Sequence, residues 1–230
     1  LVLLLVVAVG ALIGSVNGFS VAKFKLHPFI VTLATQLIVY GAILIYLNLG
    51  EGTGQAISGI DQGYRNFING SLFRIGDTPV PNFVIYAVVI TAIMWVVWNK
   101  TTFGKNMFAV GSNQEAAAVS GVNVNKIIIL VFTVAGILYA YTGFVEAVRI
   151  GSNNAQTGAN YELDAIAACV IGGVSFVGGI GKIRGVIIGV FFLRLIFIGL
   201  NVLSINANWQ YIIRGLIILI ACAVDMRKYL

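Results

Sequence analysis

Charged residues are scarce in this chain of 230 residues. Asp, Glu, Lys and Arg together make up 10% of it, whereas hydrophobic residues make up 59%. Because soluble domains carry roughly a quarter charged residues, an ordinary soluble domain is excluded. The composition therefore predicts an integral membrane protein that lies in a lipid bilayer.

Cysteine and histidine are also rare, which excludes two further classes. The two cysteines, Cys169 and Cys222, stand far apart within apolar runs, and His27 is the one histidine. Neither a disulfide framework nor a metal site is expected from this pattern. The net charge of +6 does not predict nucleic-acid binding either, because the basic residues are not clustered on one soluble face.

Apolar runs of about twenty residues predict the transmembrane helices. One further segment, 164–180, is short and broken by glycines, which predicts a discontinuous or re-entrant helix. We expect an all-α polytopic helical bundle in one domain, 1–230. The chain opens at Leu1 within an apolar run, without Met or a basic segment, and we expect its N-terminus to be truncated. The predicted spans are 1–22, 29–49, 83–99, 127–148, 185–203 and 209–224.

The distribution of Lys and Arg predicts the orientation, since basic residues accumulate on the cytoplasmic side of a membrane. With the loop 100–126 inside, nine of the 14 basic residues lie inside and three outside, while Arg194 and Arg214 fall within spans. The C-terminus is then cytoplasmic, and the segment 50–82 becomes an external loop. The nine are Lys23, Lys25, Lys100, Lys105, Lys126, Lys182, Arg184, Arg227 and Lys228.

The loop 100–126 carries the pattern of a short helix. Ser112 followed three residues later by Glu115 predicts a capping box. An alanine-rich run continues the helix, and Gly121 stands where a left-handed C-terminal residue is favoured. Such a helix is too short to cross a bilayer and suits contact with a second protein. The alternative is a surface turn between two spans.

Polar residues recur within two predicted spans. Thr32, Gln36 and Tyr40 share one helical face, and Asn17 is expected beside it. Because polar groups are costly in lipid, these faces suit a translocation path for an uncharged, hydroxyl-rich solute. Hydrogen bonds between helices are the alternative. The fourth span carries a second set that leads to a charged outer mouth: Tyr139, Thr142, Glu146 and Arg149.

Glycines with a spacing of four predict close packing of helices. These are Gly10, Gly14 and Gly18, and then Gly185 and Gly189.

Two other patterns do not support catalysis. The glycine-rich run 172–185 lacks the lysine of a nucleotide-binding loop, so no ATPase motif is expected. Glu162 and Asp164 form a close carboxylate pair without a histidine, nucleophile or metal ligand beside them. A gate or a helix-start role is expected instead, with Asp164 capping the helix that follows it. We therefore do not expect an enzyme.

Three strings carry a resemblance to a known family. GSNQEAAAVSGVNV (111–124), YELDAIAACVIGGVSFVGG (161–179) and WQYIIRG (209–215) resemble signature blocks of bacterial ABC-importer permeases of the ribose, galactose and branched-chain amino acid type. The resemblance covers essentially the whole chain apart from 50–82. Further strings at 21–33, 98–111 and 149–152 resemble the galactose/methyl-galactoside branch of that family.

The resemblance implies the permease subunit of an ATP-driven sugar importer in the bacterial inner membrane. It would move galactose, methyl galactoside or a related monosaccharide inward by alternating access. A ribose or branched-chain amino acid permease is the alternative within the family, and a secondary transporter or channel is the alternative class. The implied partners are an ATPase subunit that holds Mg-ATP, a periplasmic sugar-binding protein and a second permease copy.

The resemblance also assigns roles to residues. In the span 185–203, Arg194 and Phe197 depart from an uncharged residue and an Asn that the family usually has, so no pore-lining role is carried over there. Glu162 and Asp164 would lie near the external mouth, to which the helical repeat of the fourth span already assigns Glu146 and Arg149. The coupling helix that contacts the ATPase would include Gly111, Ser112, Asn113, Glu115, Ala116, Ala117, Ser120 and Gly121.

Overall fold

The computed structural model describes residues 1–49 and 56–227, which form ten helices and four short strands. Residues 50–55 of the predicted external loop, and Lys228 of the predicted cytoplasmic set, lie outside the described residues. The elements in chain order are α1 (Val2–Phe24), α2 (Pro28–Leu49), β1 (Ile57–Ser58), α3 (Gln62–Asn69), β2 (Ser71–Ile75), β3 (Thr78–Pro81), α4 (Asn82–Lys100), α5 (Thr102–Ser112), α6 (Gln114–Val119), α7 (Val124–Ile150), β4 (Ser152–Asn153), α8 (Tyr161–Ile171), α9 (Ile183–Val202) and α10 (Ala207–Met226).

The predicted spans are confirmed. Six helices of the described residues are long and apolar enough to cross a membrane, namely α1, α2, α4, α7, α9 and α10. Each begins and ends within three residues of its predicted bounds. The described residues divide into two compact units. Unit 1 comprises 1–49, 56–97 and 123–157, and unit 2 comprises 98–122 and 158–227.

Unit 1 is built on close packing of α1 against α7. A Cβ atom added to Gly10 would lie 2.5 Å from the carbonyl oxygen of Gly136, and one added to Gly18 would lie 2.8 Å from Cα of Ile129. Gly14 likewise leaves no room for a side chain against α7. The predicted close-packing role of these three glycines is therefore confirmed, because any larger residue would separate the two backbones.

The described part of the predicted external loop, 56–81, is an ordered structure rather than a simple connection. Its helix α3 buries Ile68, which is 1% exposed. The carbonyl oxygen of Phe67 accepts hydrogen bonds from Asn82 Nδ2 at 3.1 Å and from the Tyr86 hydroxyl at 3.0 Å. Strands β2 and β3 form a hairpin, and β1 pairs with β4 beyond the end of α7. These bonds attach the segment to the ends of α4 and α7.

Unit 2 contains the short, glycine-broken helix that the sequence predicts over 164–180. Helix α8 has 11 residues, a length of about 16 Å, and the α8–α9 loop (residues 172–182) follows it. One detail of the prediction is wrong. The helix begins at Tyr161, so Asp164 stands in its first turn and does not cap it. The N-cap position belongs to Asn160, which has a positive φ of 67° and makes no side-chain cap bond.

Helices α8 and α9 also meet through glycine. Gly185 faces the backbone of Gly172, and Gly189 faces the carbonyl oxygen of Ala168, with no space for a Cβ atom at either position. Beside this contact lies the apolar core of unit 2, which includes Leu193 and Phe197. The predicted packing role of Gly185 and Gly189 is thus confirmed.

Gly136→Ala should destabilise the protein, because its new methyl group would meet the carbonyl oxygen of Gly10 and lie 3.0 Å from Cα of Gly14. We expect the free energy of unfolding to fall by about 1–3 kcal/mol, as is usual for overpacking. Gly143 on the same helix has no atom within 4 Å of an added Cβ, so Gly143→Ala is the matched control. Thermal unfolding in detergent measures both variants, and equal melting temperatures would contradict the prediction.

Candidate functional site

The segment 100–126 contains two helices where the sequence predicts one. Thr101 caps α5 by accepting a hydrogen bond from the Gly104 amide at 3.2 Å. The predicted capping box is wrong, because Ser112 is the last residue of α5. Asn113 caps α6 instead, and its Oδ1 accepts from the Ala116 amide at 2.9 Å. An Asn satisfies the free amides of a first turn as well as a Ser does, but the sequence prediction named only Ser112 as the cap.

The predicted C-terminal signal of this helix is confirmed. Gly121 has a φ of 84°, a conformation that favours glycine. Its amide donates to the carbonyl oxygen of Ala118 at 3.0 Å, and the Val122 amide donates to that of Ala117 at 3.0 Å. This pair of bonds is a Schellman motif. Helix α6 is therefore fixed at both ends despite having only six residues.

Helix α6 presents most of its side chains outward. Ala117 is 4% exposed and faces the protein, whereas Val119 is 90% exposed. Glu115, Ala116 and Ser120 are exposed as well. We call the exposed residues Glu115, Ala116, Ala118 and Val119 the α6 outer face. An acidic residue in the first turn and an exposed Val on so short a helix suit a surface that a second protein covers.

The joint between α5 and α6 rests on the α8–α9 loop. A Cβ atom on Gly111 would lie 2.9 Å from the Gly179 amide nitrogen, and one on Gly178 would lie 2.5 Å from the Gly111 carbonyl oxygen. A Cβ atom on Gly179 would meet Ser112. Gly178 and Gly179 both have positive φ values, of 107° and 70°. Two backbones thus touch at the beginning of the candidate coupling segment.

The same loop is bound from its other side by α10. Asp225, which is 5% exposed, accepts hydrogen bonds at Oδ2 from the Phe176 amide at 2.9 Å and from the Ser175 hydroxyl at 3.2 Å. Asp225 is not among the functional residues predicted from the sequence. The sequence did contain a signal for Asp225, because a carboxylate stands there in the last turn of a span, just beyond the apolar run.

An ion pair links α8 to α10. Nε of Arg214 lies 2.7 Å from Oδ1 of Asp164, and both side chains are mostly buried, with exposures of 19% and 25%. The Arg214 guanidinium also lies over the rings of Phe197, at 4.9 Å, and Tyr211, at 5.6 Å. Asp164 is therefore held by a partner that sequence spacing alone did not identify.

Arg194 lies at a cavity beside this ion pair. The cavity has a volume of about 200 Å³, and Tyr161, Asp164, Arg194 and Phe197 are among its lining residues. Asp164 and Arg194 thus line the same cavity. Glu162, the other member of the predicted carboxylate pair, is exposed in the first turn of α8.

The remaining predicted mouth residues form a pair of their own. Arg149 on α7 donates to Glu146 through Nε at 2.9 Å and through Nη2 at 2.7 Å. The Arg149 guanidinium also lies 6.0 Å from the ring centroid of Phe83. These contacts lie within unit 1, whereas Glu162 and Asp164 belong to unit 2.

The residues of the candidate translocation path have different environments. Asn17 is 9% exposed, and its Oδ1 accepts from the Thr35 hydroxyl at 2.6 Å. This is the hydrogen bond between helices that the sequence left as an alternative. Gln36 is exposed on α2, and Tyr40 accepts a long hydrogen bond of 3.5 Å from Gln156 Nε2.

The hydroxyls of Thr32 and Thr142 bond to carbonyl oxygens of their own helices. Tyr139 on α7 is 75% exposed. A path along these residues stays a prediction.

Six apolar helices and a short, doubly capped surface helix in the described residues define a polytopic helical membrane protein. A family model described as "Branched-chain amino acid transport system / permease component" matches residues 1–222. The chain belongs to this family of transport permeases.

Curated relatives cover almost the whole chain. The galactose/methyl galactoside import permease protein of Haemophilus influenzae is 46% identical over 99% of this chain and 67% of its own length. The protein of the same name from Escherichia coli K12 is 47% identical over 100% of the chain and 67% of its own. The ribose import permease protein of Bacillus subtilis is 38% identical over 92% of the chain and 63% of its own. No solved structure matches the chain.

Asp164→Asn should destabilise unit 2, because it leaves the Arg214 charge without its partner. Breaking a fully buried pair costs about 3–5 kcal/mol. Since both side chains keep some exposure, we expect the free energy of unfolding to fall by about 2 kcal/mol. Glu146→Gln is the control. Arg149 in that pair is 43% exposed, so a change below about 1 kcal/mol is expected. Equal melting temperatures for wild type and Asp164→Asn would contradict this account.

Proposed function

We propose that this chain is the membrane-spanning subunit of an ATP-driven importer that moves galactose, methyl galactoside or a related monosaccharide into a bacterial cell. The observation that carries the proposal is the identity to galactose/methyl galactoside import permeases, 46–47% over nearly the whole chain. Identity to the ribose import permease of Bacillus subtilis is lower, at 38%. Ribose is therefore the second candidate substrate.

The proposed mechanism is alternating access driven by a separate ATPase subunit. Import against a concentration gradient needs a source of free energy other than sugar binding, because binding at equilibrium only shifts the populations of the permease's states and cannot concentrate the sugar. The free energy must then come from nucleotide that the partner binds and hydrolyses. We assign contact with this partner to the α6 outer face, supported by its fixed ends and by the exposure of Val119.

The positive-inside rule supports the proposed orientation in the inner membrane. It assigns α6, the α8–α9 loop and the C-terminus to the cytoplasmic side. A periplasmic sugar-binding protein would then dock on the opposite side, near the ordered segment 56–81. We propose that the importer contains two permease copies.

The proposed sugar path follows polar residues of α2 and α7. Thr32, Gln36 and Tyr40 are exposed on α2, as are Tyr139 and Thr142 on α7. Polar side chains that face outward from a span are costly in lipid, which favours contact with a water-filled path. We exclude Asn17 from this path, because its bond to Thr35 supports a role in joining α1 to α2.

Reconstitution into proteoliposomes tests the proposed function. The full-length permease with its ATPase and binding protein should accumulate radiolabelled D-galactose when ATP is enclosed, and galactose-loaded binding protein should stimulate hydrolysis. Ribose and leucine are the comparison substrates. If hydrolysis is stimulated by ribose and not by galactose, the substrate is ribose. Accumulation by the permease without partners or nucleotide would instead indicate a secondary transporter.

Val119→Arg should abolish the stimulated hydrolysis, because it places a charge at a highly exposed apolar residue of the proposed α6 outer face. A charge buried without a partner at an interface costs about 2–5 kcal/mol, which lowers the affinity for the ATPase by a factor of roughly 30 or more. Val119→Ile keeps the surface apolar and is the matched control. Co-purification of permease and ATPase measures the assembly, and full assembly of the Val119→Arg variant would exclude this docking surface.

A further inference from the structure

We propose that Asp225 is a positioning residue for coupling, which holds the α8–α9 loop against the joint between α5 and α6. Displacement of α6 by the ATPase then reaches α8 through this loop. The inference rests on the proposed function, since it concerns transmission of force from the ATPase. It assigns a role to a residue of α10 through the loop that this residue binds.

The first step is the attachment of the loop to α10. Asp225 accepts two hydrogen bonds at one carboxylate oxygen, from the Phe176 amide and the Ser175 hydroxyl. The Ser175 hydroxyl in turn accepts from the Val177 amide at 3.2 Å, and the Ser175 amide donates to the carbonyl oxygen of Ile180 at 3.0 Å. Hydrogen bonds to a charged acceptor are roughly twice as strong as neutral ones. The carboxylate therefore fixes the shape of residues 175–180.

The second step is the contact between this loop and the coupling segment. Gly178 and Gly179 lie against the backbone of Gly111 and Ser112, and a Cβ atom at Gly111, Gly178 or Gly179 would meet backbone or Ser112 atoms. Contacts this close transmit displacement, because packed interiors are not continuously deformable. Asn113, the N-cap of α6, follows directly after Ser112. A shift of α6 at its N-cap is thus applied to the loop at Gly178 and Gly179.

The third step connects the loop to the charged cavity. The loop continues from α8, whose first turn carries Asp164 in its ion pair with Arg214. Asp164 and the end of α8 are separated by seven residues, about 10 Å along the helix. Tilting α8 from its loop end would therefore move Asp164 relative to Arg214. By holding the loop in one shape, Asp225 prevents the loop from deforming in place of α8.

The experiment compares transport with hydrolysis in the reconstituted full-length complex. In Asp225→Ala the loop loses its acceptor, and we expect at least about fivefold less D-galactose imported per ATP hydrolysed, the lower range of a coupling free energy. Asp225→Asn keeps a neutral acceptor and should give an intermediate ratio. Met226→Ala changes an exposed side chain (47%) next to Asp225 on α10; it is the control and should match wild type.

A second variant tests the same contact without changing Asp225, so the test stands even if the Asp225 variants misfold. Gly111→Ala would place a methyl group 2.9 Å from the Gly179 amide nitrogen while leaving both bonds of Asp225 in place. We expect the same fall in sugar imported per ATP. Hydrogen exchange should also be faster in residues 175–180 of the Asp225→Ala variant. A purely structural role would lower the amount of folded protein and leave that ratio unchanged.

The outcomes separate this inference from the proposed function. If the wild-type complex imports none of the three substrates, galactose, ribose and leucine, when ATP is present, the proposed function is wrong. If wild type imports sugar and both Asp225→Ala and Gly111→Ala keep the wild-type ratio, Asp225 has no positioning role. A reduced ratio in both variants, with Met226→Ala unaffected, supports the inference.

Discussion

Close approach of backbones at glycine is the constraint on which both units depend. In unit 1, Gly10 and Gly136 bring α1 and α7 together, and in unit 2 Gly172 and Gly185 do the same for α8 and α9. Within lipid there is no hydrophobic driving force between helices, so van der Waals contact at such seams stabilises the packing. Side chains at these positions would separate the helices and remove that contact.

The same constraint shapes the candidate site in unit 2. Gly111 meets Gly178 and Gly179 without an intervening side chain, so the start of the coupling segment and the α8–α9 loop are in direct backbone contact. Asp225 holds the loop from the side of α10. Elements that are far apart in sequence therefore form one continuous set of contacts, which is what a coupled movement requires.

The two mostly buried carboxylates of unit 2, Asp164 and Asp225, are paired or hydrogen-bonded rather than left alone in the apolar interior. Asp164 is paired with Arg214, whose guanidinium also lies over Phe197, and Asp225 accepts from the backbone of the neighbouring loop. Such arrangements offset the desolvation of a charge in a span. Arg194 lies at the cavity next to Asp164, where its charge is close to a carboxylate.

The sequence by itself determined the six spans and the glycine seams, because apolar run length and a spacing of four residues are local properties. It also determined the left-handed residue at Gly121. Only the tertiary structure decided that Asn113 rather than Ser112 caps α6, since the end of α5 occupies Ser112. The tertiary structure likewise decided the partners of Asp164 and Asp225. These contacts join residues about 50 positions apart, so they depend on how helices pack and leave no periodic signal in the sequence.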